Sequence, residues 1–249
     1  MTPNPAPRAL VGLSSDVAFP AAEDMQSRFQ ALFPKIDMSR LSLASVADGV
    51  DATYLDSTAQ IRVFSDTAPD ALGDAAKVIE VTGTGHGDAP ESPAELCLLV
   101  SLLAATVIDT MDGAHAIWCG VDLAGEGKAF IKAMQGVFAG TFPMESWLRF
   151  PVDKRDDGRM TMQTQGMDVF TGGWELSSDF AHPKEDWLLA RFTPVAAWVM
   201  NAGLPTEDKY RITLKKLGKV TVTRDAANNL ILIDPSKTKG AKGRFGLVK

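Results

Sequence analysis

The stretch from Ala94 to Met111 carries apolar side chains around most of a helical circumference. Ser92-Pro93-Ala94-Glu95 marks its start: the serine caps, the proline takes the first helical position and the glutamate closes a capping box. Asp112-Gly113 marks its end. With a turn of about 100° per residue, Glu95, Thr106, Asp109 and Thr110 share one narrow polar seam. A helix with so little polar surface has to be covered on several sides, so its neighbours must supply layers that enclose it.

Those neighbours read as strands and helices in mixed order. Ala9 to Leu13, Leu41 to Val46, two short runs around Asp56-Ser57 and Lys77 to Val81 have strand character. Ala21 to Phe33 has helical spacing at Met25, Phe29, Leu32 and Phe33, and Pro34 stops it. Ala114 to Cys119 predicts a strand and Glu126 to Phe138 a helix. Trp147 to Val152 and Met160 to Gln165 predict paired strands about the turn Asp153 to Gly158, and the alternation Trp174, Leu176, Phe180 another. Lys184 to Asn201 is helical with an interruption at Pro194. Strands at Tyr210–Leu214, Val220–Thr223 and Leu230–Ile233 predict a C-terminal β-meander. Without a βαβ rhythm, the fold class is α+β, with mixed or antiparallel sheets packed against helices.

The expected organisation is a Pro-rich flexible arm at 1–8, a single domain at 9–234 and a Lys- and Gly-rich tail at 235–249. The Gly-rich segment from Thr82 to Pro93 is either a loop or a subdivision point. The longest apolar run, Leu96 to Ile108, falls short of the roughly 20 residues that span a bilayer. With no export signal, the cytoplasm is the expected location and no membrane partner is expected. The two cysteines, Cys97 and Cys119, sit in apolar runs and read as buried thiols rather than a disulfide.

Segments of the second half resemble a bacterial family known as domain of unknown function 4261. They are Gly113-Ala114-His115-Ala116-Ile117-Trp118, Trp147-Leu148-Arg149-Phe150, Gln163-Thr164-Gln165-Gly166-Met167, Trp174-Glu175-Leu176 and Ala197-Trp198-Val199-Met200. The resemblance implies an α+β bacterial cytoplasmic protein and carries over no catalytic residue. Gln165 stands where an apolar residue is expected, and the basic tail is foreign to the family.

Sequence motifs for chemistry are sparse. There is no P-loop, no His-Glu-x-x-His and no Gly-x-Ser-x-Gly elbow. Gly83-Thr84-Gly85-His86-Gly87 follows a strand and precedes a helix, so its backbone N–H groups are candidates to cradle a phosphate; a flexible connection is the plainer reading. His86 is the candidate catalytic residue, whereas His115, in an apolar strand, reads as a satisfied core or edge residue and His182 as loop surface. Asp153, Asp156 and Asp157 read as a solvated hairpin tip rather than a cation site, and no metal or cofactor is expected. Trp174, Trp187 and Trp198 are candidates for a partner-binding aromatic face, against a plain packing role.

Charge then separates the functional classes. Residues 1–206 carry fourteen Lys or Arg against twenty-seven Asp or Glu, and residues 207–249 eleven against four. The acidic body favours a non-enzymatic protein-binding domain that takes a basic protein partner, such as an immunity or defence-associated protein. The alternatives are a hydrolase with dispersed polar residues around His86, and a weak nucleic-acid binder acting through Lys237, Lys239, Lys242 and Arg244.

Overall fold

A computed structural model describes residues 6–66, 68–86, 93–118, 125–141, 143–171, 173–181, 185–202, 207, 209–214, 218–225 and 229–233. The chain divides into two compact units: Pro5–Trp147, and Leu148–Lys249 together with Met1–Asn4. The boundary lies between Trp147 and Leu148, not in the segment 82–93. Both units combine helices with a sheet, so the fold is α+β.

In the first unit, β1 (Arg8–Leu13), β2 (Leu41–Val46), β3 (Gly49–Tyr54), β4 (Ser57–Val63), β5 (Lys77–His86), β6 (Gly113–Trp118) and β7 (Gly125–Glu126) form one sheet in the order β2-β3-β4-β5-β1-β6-β7. Every pairing is antiparallel. The helices are α1 (Ala22–Leu32), α2 (Pro93–Thr110), α3 (Gly127–Val137) and the single turn α4 (Met144–Trp147).

The apolar segment is α2, and every residue from Leu99 to Ile108 is buried. It packs on β4, β5, β1 and β6, with α1 and α3 against it. Trp147, at the end of α4, covers it further: its indole N–H donates to Ser101 Oγ over 2.8 Å, and its ring lies 6.0 Å from that of Trp118. The Ser101 and Thr106 hydroxyls bond within the helix, Ser101 to the Cys97 carbonyl at 2.8 Å and Thr106 to the Leu102 carbonyl at 2.9 Å. Thr106 is therefore core, not part of an exposed seam; Asp109 reaches outward and pairs with Arg28 of α1.

Local departures from the sequence-based expectation have physical causes. Thr82 to His86 is no loop: β5 continues through it, paired with Arg8 of β1 and with Ser57 to Gln60 of β4. Gly83 permits this continuation, because a Cβ there would stand 2.8 Å from Pro7 and 2.9 Å from Leu96. Its N–H donates to the Pro7 carbonyl over 2.8 Å, so the chain at Pro7 and Arg8 is tied to the sheet rather than forming a free arm. After α2, Asp112 itself takes the left-handed conformation (φ 52°) and Gly113 begins β6. Cys97 is buried and unbridged; Cys119 lies outside the described residues.

The second unit holds β8 (Val152–Lys154), β9 (Arg159–Gln163), α5 (Asp168–Thr171), β10 (Glu175–Ala181), α6 (Glu185–Ala202), β11 (Lys209–Leu214), β12 (Gly218–Arg224) and β13 (Asn229–Ile233). Its sheet runs β11-β12-β13-β10-β9-β8; the C-terminal meander is present, and β13 meets β10 in parallel. The expected strand from Trp147 shrinks to β8 and a single bridge, Arg149 to Gln165, because Trp147 turns as a helix to reach Ser101. The helix α6 runs unbroken through Pro194. Leu188, Phe192, Val195, Ala196 and Val199 bury one face, while Ala190, whose carbonyl loses its i+4 donor to the proline, is exposed. Among the described residues no helix is long and apolar enough to cross a membrane.

The substitution Leu103→Asp is expected to destabilise the protein by about 4 kcal/mol or more, because it places an unpaired charge at a position with no solvent exposure. Calorimetric or denaturant unfolding of the variant checks this; a midpoint equal to that of the native chain would show that α2 does not hold the unit together.

Candidate functional site

The division into units sharpens the charge pattern. Residues 5–147 carry eight Lys or Arg against nineteen Asp or Glu, a balance of −11; residues 148–234 carry twelve of each; residues 235–249 carry five Lys or Arg and no acid. The acidity of the chain is thus the property of its first unit. Some of it is neutralised locally: Arg62 pairs with Asp48 at 3.3 Å and with Asp51, Lys77 with Asp16 at 2.8 Å, and Arg8 with Glu80 at 3.4 Å. Glu23, Asp24, Asp56, Asp70 and Asp74 are exposed and form no ion pair with a described residue.

Two of these carboxylates border a concavity. The end of β1 from Gly12 to Ser14, the segment Asp70 to Ala75, and Ala114 and His115 of β6 enclose an open cleft of about 380 Å³. Leu72, in a short 3-10 turn, packs with Leu10 and Val78 at the floor, and Ala114 and His115 of β6 beside it are exposed. The cleft gathers a serine, a histidine and two aspartates, yet among the described residues no hydrogen bond links Ser14, His115, Asp70 and Asp74. A nucleophile and its base need that contact to act together.

In the second unit the most perturbed group is Glu175, the first residue of β10. One carboxylate oxygen accepts from the N–H groups of Gly166 at 3.0 Å and Asp168 at 3.4 Å; the other accepts from the Thr164 hydroxyl. Thr164 Oγ1 in turn accepts from the Leu176 N–H at 2.8 Å. The carboxyl therefore staples the turn between β9 and α5 to the start of β10. Burial pushes its pKa from 4.5 up to about 7, and the neighbouring Asp168 charge adds to the rise, against the lowering effect of the three hydrogen bonds. The segments Gln163 to Met167 and Trp174 to Leu176 meet at this staple.

The residues singled out by sequence are not brought together. His86 is the last residue of β5, opposite Ser57, so it stands in a sheet rather than a phosphate-cradling loop. Gly87 and Asp88, His182 and the tail 235–249 lie outside the described residues. His115 is an exposed strand residue on the cleft. Each tryptophan meets an internal neighbour: the Arg191 guanidinium lies 3.5 Å over Trp187, the Arg224 guanidinium 4.9 Å over Trp174, and Trp198 stacks on Tyr210 at 5.6 Å. Burial pushes the Tyr210 hydroxyl up to about 12. Asp157 at the hairpin tip bonds the Arg159 N–H at 3.0 Å, and among the described residues no cluster of His, Cys, Asp or Glu is arranged for a metal. The cleft escapes the sequence because it is assembled from residues far apart in the chain; Glu175 escapes because Thr164, Gly166 and Asp168, all within eleven residues of it, converge on its carboxyl only when the turn closes, and its one sequence signal is an acid set inside a strand pattern.

Comparison with protein-family models, curated proteins and solved structures finds no match to this chain.

The raised pKa of Glu175 gives a testable pH dependence. The folded state prefers the protonated carboxyl, so its contribution to stability is full below about pH 4.5 and is lost as pH rises through about 7. Glu175→Gln keeps a neutral hydrogen-bonding group. The variant is expected to be more stable than the native chain above pH 7 by about 2 kcal/mol, with the difference vanishing near pH 4.5. Urea unfolding of both proteins across this range measures it; parallel pH profiles would refute the assignment.

Proposed function

We propose that this chain is a non-enzymatic protein-binding domain whose first unit takes a partner with a basic surface, the class to which an immunity partner of a basic toxin belongs. The observation that carries this reading is the balance of −11 confined to residues 5–147, with exposed carboxylates left outside local ion pairs. A surface of one sign steers an oppositely charged partner and speeds encounter. The Trp174, Trp187 and Trp198 rings are occupied by internal neighbours, which moves the binding face away from them and onto the acidic unit. A hydrolase reading falls on the cleft at His115 rather than on His86, and the missing hydrogen bonds there make it the weaker of the two.

The test is kinetic. Proteins captured on the immobilised full chain are expected to be basic, and their association to slow as salt shrinks the Debye length from about 10 Å at 0.1 M to about 3 Å at 1 M. Glu23→Gln with Asp24→Asn should slow association while leaving the unfolding midpoint unchanged. Capture of acidic or neutral proteins with salt-independent rates would remove the basis of the reading.

A further inference from the structure

A sheet that ends in solvent offers a row of unpaired backbone groups to any other strand, and proteins blunt such edges with shortness, charge, proline or a bulge. Three of the four sheet edges here are blunted. The strand β7 has two residues; β8 has three, with Asp153 and Lys154 exposed; β11 displays Lys209 and Arg211. The fourth, β2, has none of these devices. It is Leu-Ser-Leu-Ala-Ser-Val, uncharged over six residues, and pairs with β3 in unbroken register from Leu41↔Tyr54 to Val46↔Gly49. Ser42, Ala44, Ser45 and Val46 are exposed, and no described strand pairs with its outer side.

The surroundings of this edge indicate its occupant. Ser45 Oγ accepts from the Ala22 N–H at 3.1 Å, which holds the first turn of α1 beside the strand and sets Glu23 and Asp24 there. Asp48 follows the strand and Asp51 lies on its neighbour, and Arg62 is the cation that pairs with both. Four carboxylates against one guanidinium leave this corner acidic. At the other end Arg40 and Asp37 pair with each other at 3.2 Å. A second copy pairing edge to edge would bring two units of −11 together, whereas a strand carrying Lys or Arg meets complementary charge.

We infer that the free edge of β2 is a strand-addition site for an extended, basic segment of a partner protein. The inference rests on the binding reading above and gives it a docking geometry: main-chain hydrogen bonds to the outer N–H and C=O groups of Leu41–Val46 supply affinity, and the acidic corner selects for cations.

The probe is a short peptide of alternating Lys and Thr, with alternating Glu and Thr as its counterpart, titrated into the isotope-labelled full chain at low salt. Binding of the Lys peptide should slow amide exchange at alternate residues of Leu41–Val46, and the Glu peptide should not. Ser42→Lys with Ala44→Lys should weaken that binding about tenfold at an unchanged unfolding midpoint, and Ser42→Glu with Ala44→Glu should preserve it. Protection elsewhere, for example at Asp70 and Asp74, would overturn the edge assignment and leave the basic-partner reading standing. Equal protection by both peptides would overturn the charge argument and that reading with it. Protection of β2 that grows with protein concentration alone would replace the partner by a second copy, and no protection by either peptide would refute strand addition.

Discussion

The first unit is organised by the need to keep α2 dry. From Leu99 to Ile108 the helix has no side that tolerates water, so a sheet beneath it is insufficient. The chain answers with α1, α3 and the Trp147 indole as further walls. Each wall contributes its own restriction. Gly83 has to lack a side chain for Pro7 and Leu96 to close up, and Ser101 has to accept the indole N–H that would otherwise be buried without a partner. Burial of this kind, at about 25 cal/mol per Å² of apolar surface, is the dominant favourable contribution such a layer makes.

Because the interior of that unit is apolar, its charge is carried towards the surface, where acids outnumber bases by nineteen to eight. The second unit is balanced up to residue 234, and the interior carboxyl of Glu175 works there as a staple rather than as a surface charge. Acidity at the surface of one unit and a proton-sensitive joint within the other are separate devices. The first acts through long-range attraction and is weakened by salt; the second acts through local burial and responds to pH.

The parts of the fold legible in the sequence were those where local pattern and tertiary demand agree. The spacing of Met25 and Phe29 in α1, the saturation of α2, and the strands of the C-terminal meander belong to this group. What escaped depends on distant partners. Thr82 to His86 looks like a loop because glycine weakens strands, and only Pro7 and Leu96 show why glycine is required there. Trp147 looks like a strand residue until Ser101 claims it. Pro194 looks like a breaker because nothing in the sequence reveals that Ala190 faces water. Glu175 was invisible for a different reason: its partners Thr164, Gly166 and Asp168 are near in the chain but converge on its carboxyl only after the turn closes.

The place of β1 in its sheet has a consequence during synthesis. The strand lies between β5 and β6, where Val11 faces both Ile79 and Ala116. On a ribosome adding about 5–20 residues per second, β1 emerges before β5 and β6 and waits several seconds for either neighbour. Throughout that delay Ala-Leu-Val-Gly-Leu is an uncovered apolar strand, the type of segment that chaperones bind and that nascent chains share in aggregates. Completion of β6 is therefore the moment at which β1 is covered on both sides, although α2 stays open until α3 and Trp147 follow.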